Sequence, residues 1–338
     1  MAPIPVYWDG EGEDVEDPEC YIIGGFHPII LGDVLTAHCP PRQYRILHKL
    51  GRGAYATVWL AETLHLPSQR YVALKVCAAN ADSEHELKIF RHIPHDDSPH
   101  VIQLLDSFSV QGPNGSHAIF VHDVVGKPTA LMRSLTRNFH FGNVGVGLPT
   151  LNDHPIADIF DEVGSPACTI VLPRNQPPTP QTLPAYLVPP ISIIDILTMW
   201  DPTLHETHLQ AEILDLGSAV LVGDQSRPFC TLTRICAPEL VFEVAAHSIK
   251  PPPTRAGDVW SFACTVYELV LGKPLFGGPC VLPNASLLGR IATFCGEIPP
   301  SWRNYWNSRE ELRGLDISQE VADKGWESRL ESLAIKKQ

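Results

Sequence analysis

Strand-like patterning begins at Tyr44. The runs "YRILHKLG", "YATVWLAET" and "RYVALKVCA" are rich in β-branched and aromatic residues and separated by turn signals, which predicts three consecutive antiparallel strands. The period then changes. In "DSEHELKIFRHI", Leu87, Phe90 and Ile93 recur at helical spacing, and Ser83 with Glu86 fits a capping box, the Ser closing the first turn and the Glu reaching back to it. "VIQLLDSFSV" and "HAIFVHDVVG" read as two further strands. Five strands with one helix after the third form a compact first lobe, spanning residues 20–126 with the turn-rich lead-in "YIIGGFHPIILGDVL".

Beyond it, residues about 149–206 carry no sustained period and centre on the proline-rich "PRNQPPTPQTLPAYLVPP", so they read as an insertion or long surface loop with short strands at its margins. "LQAEILDLGSAVLV" resumes a strand and turn. In "GDVWSFACTVYELVLG", Val259, Phe262, Ala263, Val266, Leu269 and Val270 fall on one helical face, as in a core helix. Residues 127–338 therefore read as a second, mainly helical lobe that includes the insertion, and the fold class is α+β.

Composition narrows the function. A chain of 338 residues can hold two domains or one two-lobed domain. The net charge of −13 argues against phosphate-backbone binding, whose affinity comes from Lys and Arg displacing counterions, so no direct nucleic-acid partner is expected. Much of the excess lies in "DGEGEDVEDPE", and residues 1–19 read as a solvated, disordered acidic arm. Nine cysteines without a CxxC pair suggest reduced thiols in the cytoplasm or nucleus. The N-terminus does not read as a signal peptide, and the best apolar run is broken by Pro189, Pro190 and Asp195, so no membrane span is expected. The sequons at Asn114 and Asn284 read as chance matches.

Candidate chemistry starts at "LGRGAYATV". Gly51 and Gly53 let the backbone approach a phosphate, Val58 can lie against a purine, and Ala56 replaces the third glycine of a GxGxxG pattern. Alone, this is equally a glycine-containing hairpin turn. In "VALK", Lys75 ends an apolar strand, and a buried lysine is costly unless paired; Glu86 on the next helix can supply the pairing carboxylate, or can serve only as the capping residue. In "LDLGSA", Asp215 follows an apolar strand end and precedes Gly217, which suits presentation of a carboxylate to a hard cation, with Asn143 offering an amide oxygen. "CAPEL" and "GDVW" add Ala237, Pro238, Glu239 and Asp258. Each motif is common; their joint order is not.

In that order the chain resembles the eukaryotic protein kinases, and more narrowly the SR-protein kinase group of fungal type, through "GGFHP", "HFGNVGV", the DLG at Asp215 and the large insertion between Asn143 and Asp215. The resemblance covers roughly residues 20–295. It implies a bilobal protein-kinase-like fold, ATP and Mg2+ as cofactors, and phosphoryl transfer to Ser or Thr of a protein substrate, Arg/Ser-rich in type, by a monomer. Gly51, Arg52, Gly53, Ala54, Val58 and Ala73 would surround ATP, Lys75 would hold its α and β phosphates and pair with Glu86, and the segment Asp123 to Val125 would be the hinge that meets adenine. Asn143 and Asp215 would hold magnesium, while Glu239 and Asp258 would be structural anchors.

The match departs from the family in one loop. The family pattern H-x-D-x-H-x-x-N, counted back from Asn143, places Asn138 where the catalytic Asp belongs and Thr136 where the first His belongs. An amide cannot act as a general base, although it can orient a hydroxyl. Only residues 127–139 separate Gly126 from His140, and at 1.5 Å per residue they reach at most about 20 Å as one helix, too little for the two helices the family places there. That loss should expose apolar surface on the helix begun by Asp258. The C-terminal segment also lacks the family's closing Arg context. Three readings stay open: an incomplete form of an active kinase, a pseudokinase that binds nucleotide or a partner, and a nonfunctional fragment. A zinc site at His92 and His95 lacks companion ligands, and no hydrolase elbow is present.

Overall fold

The computed structural model describes residues 6–7, 15–66, 70–93, 98–126, 143–148, 150–173, 182–204, 209–271, 273–276 and 284–335. The chain divides into two compact units, Met1–Thr129 with Phe141–Gly217 and Ala130–His140 with Ser218–Gln338.

In the first unit, strand β1 (Val6–Tyr7) precedes a six-stranded antiparallel sheet built from β2 (Val34–His38), β3 (Pro41–Arg52), β4 (Ala56–Thr63), β5 (Tyr71–Cys77), β6 (Asp106–Gly112) and β7 (Gly115–His122), in the order β2-β3-β4-β5-β7-β6. The sequence suggested five strands; β2 is the sixth, placed in the lead-in, where flanking Gly and Pro mask its alternation. Side-chain alternation sorts β5 cleanly. Val72, Leu74 and Val76 enter one core with Ile46, Trp59, Ile119 and Val121. Tyr71 and Ala73 enter a second core on the opposite face, with Leu47 and Leu60. Register shifts between Ile46 and His48 and between Lys49 and Gly51 bend β3 and let the adjacent Ile46 and Leu47 serve different cores.

Helix α1 (Ser83–Phe90) follows β5. Its cap is Asp82, whose carboxylate accepts the His85 N–H at 3.3 Å, and not the Ser83–Glu86 box expected from the sequence. Glu86 is thereby free to point inward.

A three-stranded sheet joins β8 (Val125–Gly126), β9 (Val144–Gly147) and, after β10 (Thr169–Ile170), β11 (Leu172–Pro173) and β12 (Tyr186–Leu187), β13 (Ala211–Ile213), with β9 central. The stretch between β9 and β13 is more ordered than its prolines suggested. It contains α2 (Ile156–Val163) and α3 (Ile193–Trp200), whose Ile159, Ile193, Ile194, Ile196 and Leu197 fill the second core. It therefore clusters with the first unit rather than with the helical one, because the sheet supplies its apolar partner. The acidic arm also ends earlier than expected: Val15 and Glu16 are buried and β1 pairs with β11. Asn114 is buried, its amide donating to the carbonyls of Phe26 and Thr182.

The second unit contains α4 (Pro238–His247), α5 (Arg255–Leu271), α6 (Asn284–Cys295), α7 (Arg303–Ser308), α8 (Glu310–Arg313) and α9 (Gln319–Ile335). Leu240, Phe242, Leu287, Leu288 and Ile291 form its core, with Phe242 stacked on Trp302 at 4.7 Å. The helical period in α5 is present, but its apolar face is not the covered one. Val259 and Phe262 are 68% and 69% exposed, and Val266 and Val270 are exposed too. The buried side is Gly257, Cys264, Glu268 and Leu271, with Arg234 3.6 Å from Glu268.

Candidate functional site

Strand parity sets the site. Lys75 shares the face of Tyr71 and Ala73, and on the same face Phe120 and His122 of β7 pack against Phe90 of α1, with ring centroids 6.1 and 5.3 Å away. The helix thus stands directly over the end of β5. Glu86, 4% exposed, reaches Lys75 with both oxygens, at 2.7 and 2.9 Å from Nζ. Asp215 Oδ1 accepts a third bond from the same ammonium at 2.8 Å. Burial alone would push the Lys75 pKa down; the carboxylates of Glu86 and then Asp215 outweigh it and raise it above the ordinary lysine value. The ammonium is fixed in position and in charge.

Asp215 is placed by backbone. Just before it, Ile213 donates to the His100 carbonyl at 2.7 Å and accepts from Ile102 at 3.0 Å, and Leu214 N–H donates to the Asn143 carbonyl at 2.8 Å. Positions 143 and 214 are therefore neighbours across the β9–β13 ladder. Asp215 itself has φ of +59°, a left-handed conformation that Asp tolerates better than most residues and that costs on the order of 1–3 kcal/mol unless its surroundings enforce it. The Lys75 bond and a 3.4 Å contact from Gly217 N–H to Oδ1 hold it there. A Cβ at Gly217 would stand in ordinary contact, 3.4 Å from Asp215 Oδ1 and 3.6 Å from Glu86 Oε2, so this glycine borders both carboxylates.

The glycine-rich turn joins β3 to β4, with Gly51 opposite Val58 and Arg52 opposite Thr57. Gly53 N–H closes on the Ala56 carbonyl at 2.8 Å; Arg52, Gly53 and Ala54 are exposed, and Tyr55 at the tip is 68% exposed. Val58 and Ala73 lie on the Lys75 face. Past β7, Asp123 is exposed and accepts from Arg70 at 3.0 Å, while Val125 pairs with Gly147. Asn143 is described and exposed; Asn138 lies outside the described residues. Glu239 opens α4 and Asp258 lies in the first turn of α5, both in the second unit.

Two buried features were missed. His122, at the end of β7, donates from Nδ1 to the Gln103 carbonyl at 2.8 Å, and burial pushes its pKa down to about 4. Its parity with Phe120 was the available signal. Lys49 and Glu16 form a fully buried ion pair beneath the glycine-rich strand, at 2.6 and 2.5 Å, with Tyr21 OH donating to the same carboxylate. The placement of Lys49 between Leu47 and Leu50 was its only trace in the sequence. Among the described residues no group of three or more His, Cys, Asp and Glu side chains is arranged to hold a metal, and no helix is long and apolar enough to cross a membrane.

No protein-family model matches the chain. Curated relatives do. The chain is 36% identical over 148 residues to the serine/threonine-protein kinase spk-1 of Caenorhabditis elegans, covering 40% of this chain and 14% of that protein. It is 34% identical over 142 residues to protein kinase dsk1 of Schizosaccharomyces pombe, covering 39% and 24%. It is 32% identical over 138 residues to human SRSF protein kinase 3, covering 37% and 23%. The matched segments thus span a quarter or less of those proteins. A crystallised kinase domain superposes with a TM-score of 0.50 at 14% identity, over 89% of this chain and 86% of that one. The fold is that of a protein-kinase domain, and the relatives matched are protein kinases, an SRSF protein kinase among them.

Proposed function

We propose that this chain is an ATP-dependent serine/threonine protein kinase of the SR-protein kinase type, with Arg/Ser-rich proteins as substrates and magnesium as its metal. The observation that carries the reading is the single ammonium of Lys75 held between Glu86 and Asp215, three residues distant in sequence and adjacent in space. The donor set fits the group: a carboxylate at Asp215 and an amide at Asn143 are the hard oxygen ligands that magnesium accepts, few in number because phosphate and water complete its shell.

When bound, magnesium ATP supplies the transferable phosphoryl group and neutralises its developing charge. The N–H that Lys75 gives Asp215 would turn to the α and β phosphates, while Glu86 keeps the ammonium charged and aimed. Asp215 and Asn143 provide metal-binding oxygens. Gly51, Arg52, Gly53 and Ala54 let backbone N–H groups approach the phosphates, Val58 and Ala73 bound the purine from the sheet, and backbone from Asp123 to Val125 meets its edge. Asn138, at the position of the family's catalytic Asp, has no basicity with which to take the substrate hydroxyl's proton.

That last point favours a second reading, a pseudokinase that holds nucleotide without transferring it. Transfer of radiolabelled phosphate to an Arg/Ser peptide separates the two: signal above a Lys75→Ala control supports the kinase, and none overturns activity in this chain. Asn138→Asp should then raise transfer if the missing base is the fault. If it does not, while nucleotide still raises the melting temperature, the pseudokinase reading stands.

A further inference from the structure

The residues joining β9 to β13 have no part in the reading above, yet some of them lie against the nucleotide face. Ile191 N–H donates to the Lys49 carbonyl at 2.9 Å, one residue ahead of Leu50 and two ahead of Gly51. Three positions on, Ile194 lies against Gly126: a Cβ there would stand 2.6 Å from the Ile194 Cβ and 3.2 Å from its Cδ1 and Cγ2. Gly126 is in β8, directly after the candidate hinge, whereas Lys49 is in β3 of the large sheet. The four residues 191–194 thus tie the glycine-rich strand to the hinge.

Ile193 and Ile194 are 3% and 5% exposed and share a buried cluster with Ala73 and Val124, against which Leu50 and Val58 also pack. Ala73 and Val58 are the same residues that the nucleotide reading assigns to the purine. The inserted segment therefore reaches the purine's surroundings from the hinge side, with a β-branched side chain whose χ1 is stiff and whose reach is fixed. Glycine at 126 completes the fit, since any larger residue would displace Ile194.

We propose that the segment Ile191–Ile194 is a wall of the nucleotide pocket and that Ile194 is a specificity-determining residue, limiting the bulk a purine can carry on its hinge-side edge. This rests on the nucleotide reading of the Lys75 site. Shortening Ile194 opens space of a few carbon atoms, and in an apolar pocket even one methylene separates ligands by about tenfold or more.

The test is displacement of a fluorescent nucleotide from the full chain by ATP and by two ATP analogues, one enlarged at C2 and one at N6. In Ile194→Ala, at least one enlarged analogue should gain about tenfold relative to ATP, and Ile194→Val should move the same ratio in the same direction by less. Ile191→Pro, which removes the N–H bonded to Lys49 together with an isoleucine side chain packed on the cluster, should weaken ATP at least about threefold and speed hydrogen exchange at the amides of residues 51–56. An unchanged analogue ratio in an Ile194→Ala or Ile194→Val chain that keeps its circular dichroism and its ATP affinity overturns the proposal. If the parent chain and Lys75→Ala both fail to bind the fluorescent nucleotide, the nucleotide reading falls and the proposal with it.

Discussion

Replacing Glu16 by Ala isolates the most heavily buried charge in the first unit. Lys49 is 0% exposed and Glu16 1%, the Lys49 ammonium sits 4.8 Å from the centre of the Trp59 ring, and Tyr21 OH donates to the Glu16 carboxylate at 2.5 Å. Burial pushes the Lys49 pKa down and Glu16 opposes the shift, so removing Glu16 leaves only the downward push. Breaking one side of a buried pair costs about 3–5 kcal/mol. A ceiling follows from titration: the stranded lysine can shed its proton at pH 7 for about 1.36 × (10.4 − 7), or about 4.6 kcal/mol. The Tyr21 hydroxyl loses an acceptor worth about 1 kcal/mol. We expect a loss of about 3–5 kcal/mol, a large share of the roughly 5–15 kcal/mol that holds a typical domain. The sign with pH is specific. With its folded pKa depressed further, the stranded lysine binds fewer protons folded than unfolded, so the variant gains stability as pH rises from 7 to 9, by up to about 1.4 kcal/mol per pH unit and by more than the parent, in which Glu16 counters the same push. Adding Lys49→Met should recover most of the loss, since no buried charge remains. Urea denaturation followed by near-UV circular dichroism at pH 7 and pH 9 measures all three chains. A loss under about 1 kcal/mol, or equal pH slopes in parent and variant, refutes the reasoning.

Acid should weaken the first unit through His27 and His122, both held down to about 4 by burial. Their contribution is present above the unfolded value near 6.5 and is lost as pH falls toward 4, about 2 kcal/mol each by pH 5, so His122→Phe should lose less between pH 7 and 5 than the parent in urea melts. Glu86→Gln should weaken magnesium ATP binding about tenfold, since a charge-assisted bond orienting Lys75 is worth about 1.5–3 kcal/mol, and titration calorimetry reads it. Phe262→Ser should change stability by no more than about 0.5 kcal/mol, against about 2–5 kcal/mol for Leu288→Ala in the covered core of the same unit.

The sequence was most legible where two cores pin one strand. The alternation of "RYVALKVCA" is readable because Val72, Leu74 and Val76 serve one face and Tyr71 and Ala73 the other, and Lys75 then had to emerge beside α1. Glu86 was ambiguous on local evidence because Ser83 three residues earlier mimics a cap; the cap went to Asp82, one residue outside the pattern. The insertion misled for two reasons. Its prolines dominate the composition, and "IIDILTMW" is only about two turns long, too short for a helical period to be told from a short apolar run. In α5 the period was clear, but a period shows that a helix has an apolar face without showing what covers it; Gly257 and Cys264 pack inward while Phe262 faces out. The Glu16–Lys49 pair joins positions 33 residues apart, and no local pattern marks such a partner.

The central claim is that Lys75, Glu86 and Asp215 form a magnesium nucleotide site. Titration calorimetry of ATP into the purified chain, with and without magnesium, tests it most directly. The account predicts binding that magnesium strengthens, that Lys75→Ala weakens with or without the metal, and that Asp215→Ala strips of its magnesium dependence. Equal heats for the parent and Lys75→Ala, or magnesium dependence that survives in Asp215→Ala, would contradict it.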